Sequence, residues 1–335
     1  PIAALVLWRA GALRFALATL ILAVGAQFVG LGGDVLYRER TFFGVHRVTS
    51  NAARAWNKLH HGTTLHGVQL RTQSLRPADA PAPPIALRDA LFWGPPDAFT
   101  PNQRTELYYL LPVTYFHPSG PIGEVMQLCA AQGRLQDVAV IGLGTGSLAS
   151  YGRPGGTFTF FEIDPAVARI ANNPALFSFF HDSEANCAVY GGDGRLGMES
   201  VTDQRFDLVV IDAFSSDAIP VHLITLEAVQ IYLDRLKPNG LITFHVSNRH
   251  FDLAPVLARL GDELHLNVYQ RYDALITPQQ AREAKNPSTW VTLARTPQDF
   301  APLSDGPDWK RLPPDSRYPL WTDDYSNVMG VFVGW

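Results

Sequence analysis

Several carboxylates in this 335-residue chain stand at or just after the C-terminal ends of apolar runs. Glu162 follows Phe160-Phe161, Asp193 lies within Gly191-Gly192-Asp193-Gly194, and Asp212 follows Val209-Val210-Ile211, with Asp217 in the loop beyond. A carboxylate at Glu162 can accept hydrogen bonds from both hydroxyls of a ribose, more strongly than a neutral side chain does. Its structural alternative is a helix cap or a surface acid. Asp193 sits between glycines that permit close approach, which suits the amino group of an adenine or else a plain Asp-Gly turn. Asp212 and Asp217 on one loop could grip a cationic amine and remove its proton. The alternative there is loop capping, with Ser215 and Ser216 as turn residues. Asp164, just before Pro165, reads as a helix cap.

A sheet must bring these acids together. Val138-Ala139-Val140-Ile141 runs into Gly142-Leu143-Gly144-Thr145-Gly146, a strand entering a turn whose glycines let the backbone approach a ligand. Strands are expected at 137–142, 157–163, 186–190, 206–212, 240–246, 264–270 and 289–295. Helices are expected at 146–151, 165–171, 194–200, 222–236 and 252–262, with Lys237-Pro238-Asn239-Gly240 as a helix stop. The alternation predicts an α/β fold, a doubly wound parallel sheet whose strand ends line one crevice. Ahead of it, Thr41–Val48 and Lys58–Leu70 read as a small antiparallel β unit. The domains are therefore a segment 1–33, a β unit 34–75, a Pro-rich connector 76–122 and a Rossmann-like domain 123–335.

Residues 15–33 are nineteen residues without a charge, the length of a transmembrane helix. Pro1 suggests a piece of a longer chain, with 1–33 the end of a larger membrane region. Arg9 and Arg14 before the span balance Arg38 and Arg40 after it, so charge does not orient it. A net charge of −4 without a basic cluster argues against a nucleic-acid partner. Cys129 and Cys187 make neither a disulfide framework nor a metal site, and no metal motif occurs.

From about residue 40 onward the chain resembles the spermidine/spermine synthase family, the polyamine aminopropyltransferases, and more narrowly its bacterial membrane-fused branch. The residues that carry the resemblance are Leu65-His66-Gly67-Val68-Gln69, Thr114-Tyr115-Phe116-His117, Val140 to Gly146, Phe161-Glu162-Ile163-Asp164, Gly192-Asp193-Gly194 and the Asp212 loop. The resemblance implies a methyltransferase-like Rossmann domain that binds S-adenosylmethionine or its decarboxylated form as co-substrate, without a metal. It assigns Gln69, Gly142, Gly144, Thr145, Gly146, Glu162, Asp193 and Gly194 to that nucleoside, and Asp212 as the base. Tyr115 and Asp217 would contact the amine, with Asp323 and Tyr325 from Trp321-Thr322-Asp323-Asp324-Tyr325 as further substrate contacts. His117 and His222 read as structural. The resemblance also implies a possible homodimer, attached to the bacterial inner membrane with its catalytic domain in the cytoplasm.

The family's glycine loop carries an aspartate where this chain has Thr145. That exchange weakens the grip on a bare amine and admits a donor that keeps its carboxylate, so aminocarboxypropyl transfer or cleavage of intact S-adenosylmethionine is an alternative. Methyl transfer on the same sheet is another, although Ile141-Gly142-Leu143-Gly144 lacks the acid that usually precedes such glycines. A polyamine or adenosyl-ligand sensor attached to a transporter is a third. A nicotinamide dehydrogenase is more distant, because the third glycine is missing.

Overall fold

The computed structural model describes residues 11–26, 33–51, 55–62, 64–71, 83–95, 97–213 and 220–334. Four strands come first: β1 (Asp34–Thr41), β2 (Gly44–Asn51), β3 (Trp56–His61) and β4 (Thr64–Leu70), an antiparallel sheet in that order. The expected β unit is present and gains β1, a polar strand with Arg38, Glu39 and Arg40. An edge strand half in water needs no apolar run, so composition hides it.

Eight further strands form the main sheet: β5 (Asp137–Ile141), β6 (Thr157–Glu162), β7 (Asn186–Gly191), β8 (Phe206–Ile211), β9 (Leu236–His245), β10 (Asn267–Asp273), β11 (Ser288–Ala294) and β12 (Lys310–Arg311). Their order is β12-β10-β11-β9-β8-β5-β6-β7. Strands β5 to β9 pair in parallel, whereas β11 runs antiparallel between β9 and β10, and β12 runs antiparallel to β10. The sheet is thus mixed, not wholly parallel as expected. The crossover through helix Ala254–Glu263 leaves a vacant place beside β9, and β11 fills it by returning from β10.

All six residues of β8 are buried, as a strand covered on both faces must be. Val209 and Ile211 enter one core with Tyr232 and Phe244, while Leu208 and Val210 enter the other with Phe158 and Trp290. Each such side chain contributes on the order of 2 kcal/mol by leaving water, so the strand end that carries Asp212 is anchored by a strand buried on both faces.

Three expectations change. The 76–122 connector contains helices Ile85–Trp93 and Pro101–Glu106, the second opened by a Thr100/Gln103 capping box. Lys237-Pro238-Asn239-Gly240 lies inside β9, because helix Leu226–Asp234 has already ended. The apolar segment expected to span a membrane over 15–33 is a helix over Ala12–Ala26, with residues 27–32 outside the described ones. Fifteen residues rise only about 22 Å, against the roughly 30 Å of a bilayer core. Among the described residues, no helix is long and apolar enough to cross a membrane.

Candidate active site

The chain runs from β5 outward to β6 and β7, then returns to place β8 on the other side of β5. Ligands in open α/β sheets lie beyond such a reversal of strand order. Here it puts Gly142, after β5, beside Asp212, after β8. Gly142 has φ +98°, and a Cβ there would sit 2.4 Å from the Asp212 carbonyl oxygen. Gly144 has φ +55°, and its Cβ would come within 2.7 Å of the His66 carbonyl oxygen in β4. These glycines let the turn pass between Asp212 and the β unit. Close approach to protein backbone, as well as to a ligand, requires them.

Two cavities flank this turn. The first, about 280 Å3, is lined by the carboxylates of Glu162, Asp164, Asp193 and Asp212, with Phe43 and Phe161 among its apolar walls. Glu162 accepts hydrogen bonds from the backbone N–H groups of Leu143 (3.1 Å) and Asp164 (2.8 Å). Burial pushes its carboxyl up to about 7, against the lowering effect of those bonds. Asp193 caps helix Gly194–Ser200 through the N–H groups of Arg195 and Leu196, both at 3.0 Å, and its other oxygen meets His222 Nε2 at 2.8 Å. Burial raises this carboxyl, but the Leu196, His222 and Arg195 bonds outweigh it and hold it below the ordinary range.

Asp164 is the expected cap, accepting from the Ala166 N–H at 2.9 Å. It also accepts Thr41 Oγ1 at 2.6 Å and meets His46 Nε2 at 2.6 Å, which fastens the β unit over the cavity. Burial raises the Asp164 carboxyl, and these partners together pull it below the ordinary range. His46, His61 and His66 follow one another at ring separations of 4.8 and 5.5 Å and form the wall that the β unit supplies.

The second cavity, about 540 Å3, shares Asp212, His66 and Gly144 with the first. Asp212 Oδ1 meets Nδ1 of His245, the last residue of β9, at 2.7 Å. The imidazole lies between the rings of Tyr115 (4.2 Å) and Trp290 (4.7 Å), stacked on both. Its Nε2 meets Ser247 Oγ at 2.7 Å, and that oxygen already accepts the Thr289 N–H at 2.8 Å. An ionised carboxylate only accepts, so the Nδ1–H donates to Asp212, which leaves Nε2 to accept the Ser247 hydroxyl. Burial raises the Asp212 carboxyl, and His245 opposes that rise through its hydrogen bond and charge. The Tyr115 phenol is held well above its ordinary range by burial and by the Asp212 carboxylate, so it stays protonated.

Tyr115 is aimed by strain. The preceding Thr114 is β-branched yet has φ +61°, an outlier for such a residue. Its N–H donates to the Ala284 carbonyl (2.9 Å), and its own carbonyl accepts the Asn286 N–H (3.1 Å). That two-sided clamp keeps the conformation, and such strain concentrates at functional sites.

The structure thus brings together Tyr115, Gly142, Gly144, Glu162, Asp193, Gly194 and Asp212. It does not bring in the others. Thr145 is fully buried, meets Ser147 Oγ at 2.8 Å and packs under Gly67, and neither it nor Gly146 lines either cavity. The Gln69 amide is consumed by the Tyr109 carbonyl (2.9 Å) and by Ser178 (2.8 Å to both its Oγ and its N–H). Asp323 makes a two-pronged ion pair with Arg195 at 2.6 Å, and Tyr325 is 53% exposed and lines neither cavity. Asp217 lies outside the described residues. His117 is structural as expected, bonded to Glu283 at 3.1 Å, whereas His222 is a cavity residue after all. Sequence reading also missed His245 and His66. His245 ends an expected strand, the same signal that located Glu162 and Asp212. Among the described residues, no group of three or more His, Cys, Asp or Glu side chains is placed to hold a metal ion.

No family model matches the chain. A polyamine aminopropyltransferase of Vibrio vulnificus (strain CMCP6) is 32% identical over 112 residues, which is 31% of this chain and 36% of that protein. The match therefore spans about a third of that relative's length. A probable spermidine synthase from Corynebacterium glutamicum ATCC 13032 shares the fold, with a TM-score of 0.50 at 14% identity over 80% of this chain and 81% of its own. The spermidine synthase of Thermotoga maritima aligns with a TM-score of 0.46 at 15% identity, over 80% of this chain and 76% of its own. Over about a third of its length this chain is thus similar in sequence to one polyamine aminopropyltransferase, and over four-fifths it shares the fold of one probable spermidine synthase.

Proposed function

We propose that the protein transfers an aminopropyl group from decarboxylated S-adenosylmethionine to an amine and releases methylthioadenosine. The observation that carries this reading is Asp212, a largely enclosed carboxylate that forms the common wall of an acid-lined cavity and a larger one in which it is the sole carboxylate among the described lining residues. In this reading the acid-lined cavity takes the nucleoside. Glu162 accepts the ribose hydroxyls, Asp193 accepts the adenine amino group, and the surrounding carboxylates favour a cationic sulfonium. The amine enters from the second cavity and gives a proton to Asp212, whose burial makes it a stronger base than an exposed carboxylate. The nitrogen lone pair then attacks the methylene bonded to sulfur. A C–N bond forms, the C–S bond breaks, and sulfur keeps the electron pair and leaves as a neutral thioether. Holding both reactants across one carboxylate removes much of the entropic barrier, by up to about 7–11 kcal/mol in well-aligned systems. His245, fixed between Tyr115 and Trp290, sets the direction of Asp212 and tempers its basicity.

Product analysis by mass spectrometry tests the reading. Decarboxylated S-adenosylmethionine and putrescine should give methylthioadenosine and an aminopropyl adduct, each dependent on the other substrate. Adenosylhomocysteine from intact S-adenosylmethionine would move the reading to methyl transfer, and binding without any product would move it to a sensor.

We also propose that helix Ala12–Ala26 attaches the protein to the cytoplasmic face of a bacterial inner membrane, since Leu17, Leu20 and Ile21 on it are exposed. Cosedimentation with lipid vesicles should be lost when these three become Ser; equal sedimentation of both forms contradicts attachment through this helix.

A further inference from the structure

We infer that the second cavity selects an acceptor with an anionic far end, a primary amine that carries a carboxylate, and that Arg249 recognises it. The inference rests on the aminopropyl-transfer reading and names its acceptor. Among the described residues that line this cavity, Asp212 is the sole carboxylate, with one oxygen on His245 and the other left to the reacting amine. Arg249 is exposed there and has no hydrogen-bond or ion-pair partner among the described residues. Much of the remaining wall consists of hydroxyls and amides, Ser247, Asn248, Asn286, Ser288 and Thr289 among them.

Acids nearby are already neutralised. Asp273, next to the lining residue Tyr272, is buried against Lys285 at 2.8 Å with Arg271 at 3.9 Å. Glu283 is held by Arg104 at 2.6 Å and His117 at 3.1 Å. The second ammonium of a diamine would therefore meet a guanidinium and find no carboxylate among the described groups, a like-charge encounter that selects against it.

An independent observation points the same way. Ser288 lines this cavity, is only 3% exposed, and its Oγ has no hydrogen-bond partner among the described residues. A buried hydroxyl without a partner is costly and rare, and a ligand oxygen would satisfy it. A carboxylate can accept this hydroxyl and the Arg249 fork together, which an ammonium cannot do.

Rates with decarboxylated S-adenosylmethionine and three acceptors of one length test the inference: 4-aminobutanoate, 4-aminobutanol and 1,4-diaminobutane. The expected kcat/KM for 4-aminobutanoate exceeds that for the diamine by at least about tenfold, and Arg249→Gln lowers it at least about tenfold more than it lowers that of the amino alcohol. Ser288→Ala should lower it by a smaller factor, and Arg249→Glu should turn the preference toward the diamine. A diamine preference that Arg249→Gln leaves intact overturns the inference while methylthioadenosine formation keeps the underlying reading. No methylthioadenosine with any acceptor overturns both. Methylthioadenosine from intact S-adenosylmethionine, lost in Arg249→Gln, would put the carboxylate on the donor and overturn its assignment to the acceptor.

Discussion

The two cavities that meet at Asp212 are built from different parts of the chain. The acid-lined cavity takes Glu162, Asp193 and Asp212 from strand ends or the turns just beyond them, and backbone N–H groups hold Glu162 and Asp193 in place. The second takes Ser247, Asn248 and Arg249 from the loop after β9, Asn286 and Pro287 from the loop before β11, and Ser288 and Thr289 from the start of that strand. The fold itself therefore directs the acids of the first. The second depends on loop sequence, which can change without disturbing the core. In this account, recognition of the donor belongs to the fold and choice of the acceptor to this particular sequence.

The largest expected effect lies at the common wall. Asp212→Asn should lower turnover by about 10^2- to 10^4-fold and change methylthioadenosine affinity by less than about threefold. Equal loss of both would mean that Asp212 belongs to the donor cavity alone. His245→Gln comes next, with a fall of about tenfold in kcat, or about 1.4 kcal/mol. Because His245 holds the Asp212 carboxyl down, its removal should shift the acid limb of the rate profile to higher pH. An unshifted limb would reduce His245 to packing.

Glu162→Gln sharpens the comparison from the donor side. It should weaken methylthioadenosine binding about tenfold or more above pH 8, as expected for hydrogen bonds to a charged acceptor, with little effect on acceptor KM. Binding to the unaltered protein should strengthen as Glu162 ionises through about pH 7, and the Gln variant should lose that dependence. Linkage gives the opposite sign for ligand-free stability. A folded value of about 7 against an ordinary 4.5 means the contribution is complete below about 4.5 and is lost as pH rises through 7. Melting curves from pH 5 to 8 should therefore fall less steeply in Glu162→Gln. The smallest effects belong to residues outside both cavities. Tyr325→Phe should leave rates within about twofold, and Asp323→Asn should cost about 1 kcal/mol of stability from a partly exposed ion pair, without altering KM.

What the sequence disclosed follows one physical rule. Glu162, Asp193 and Asp212 were legible because each breaks polarity where an apolar run ends, and a parallel sheet gathers those ends. His245 obeys the same rule but was passed over, as histidine at a strand end carries no acid signal. Thr145 and Gln69 were carried over by position in the family pattern, and position does not tell which way a side chain turns. One turns under Gly67 and the other toward Ser178. The direction of β11 was equally hidden, because an apolar run reads the same whether its strand pairs parallel or antiparallel. The helices within 76–122 were masked by prolines, although Thr100-Pro101-Asn102-Gln103 carries the capping pattern that marks a helix start.

A structure with methylthioadenosine bound tests the central claim most directly. The account predicts the ribose hydroxyls on Glu162, the adenine amino group at Asp193, and the thioether sulfur beside Asp212, facing the second cavity. A nucleoside seated among Ser247, Asn286 and Ser288 instead, or a sulfur turned away from Asp212, would contradict it.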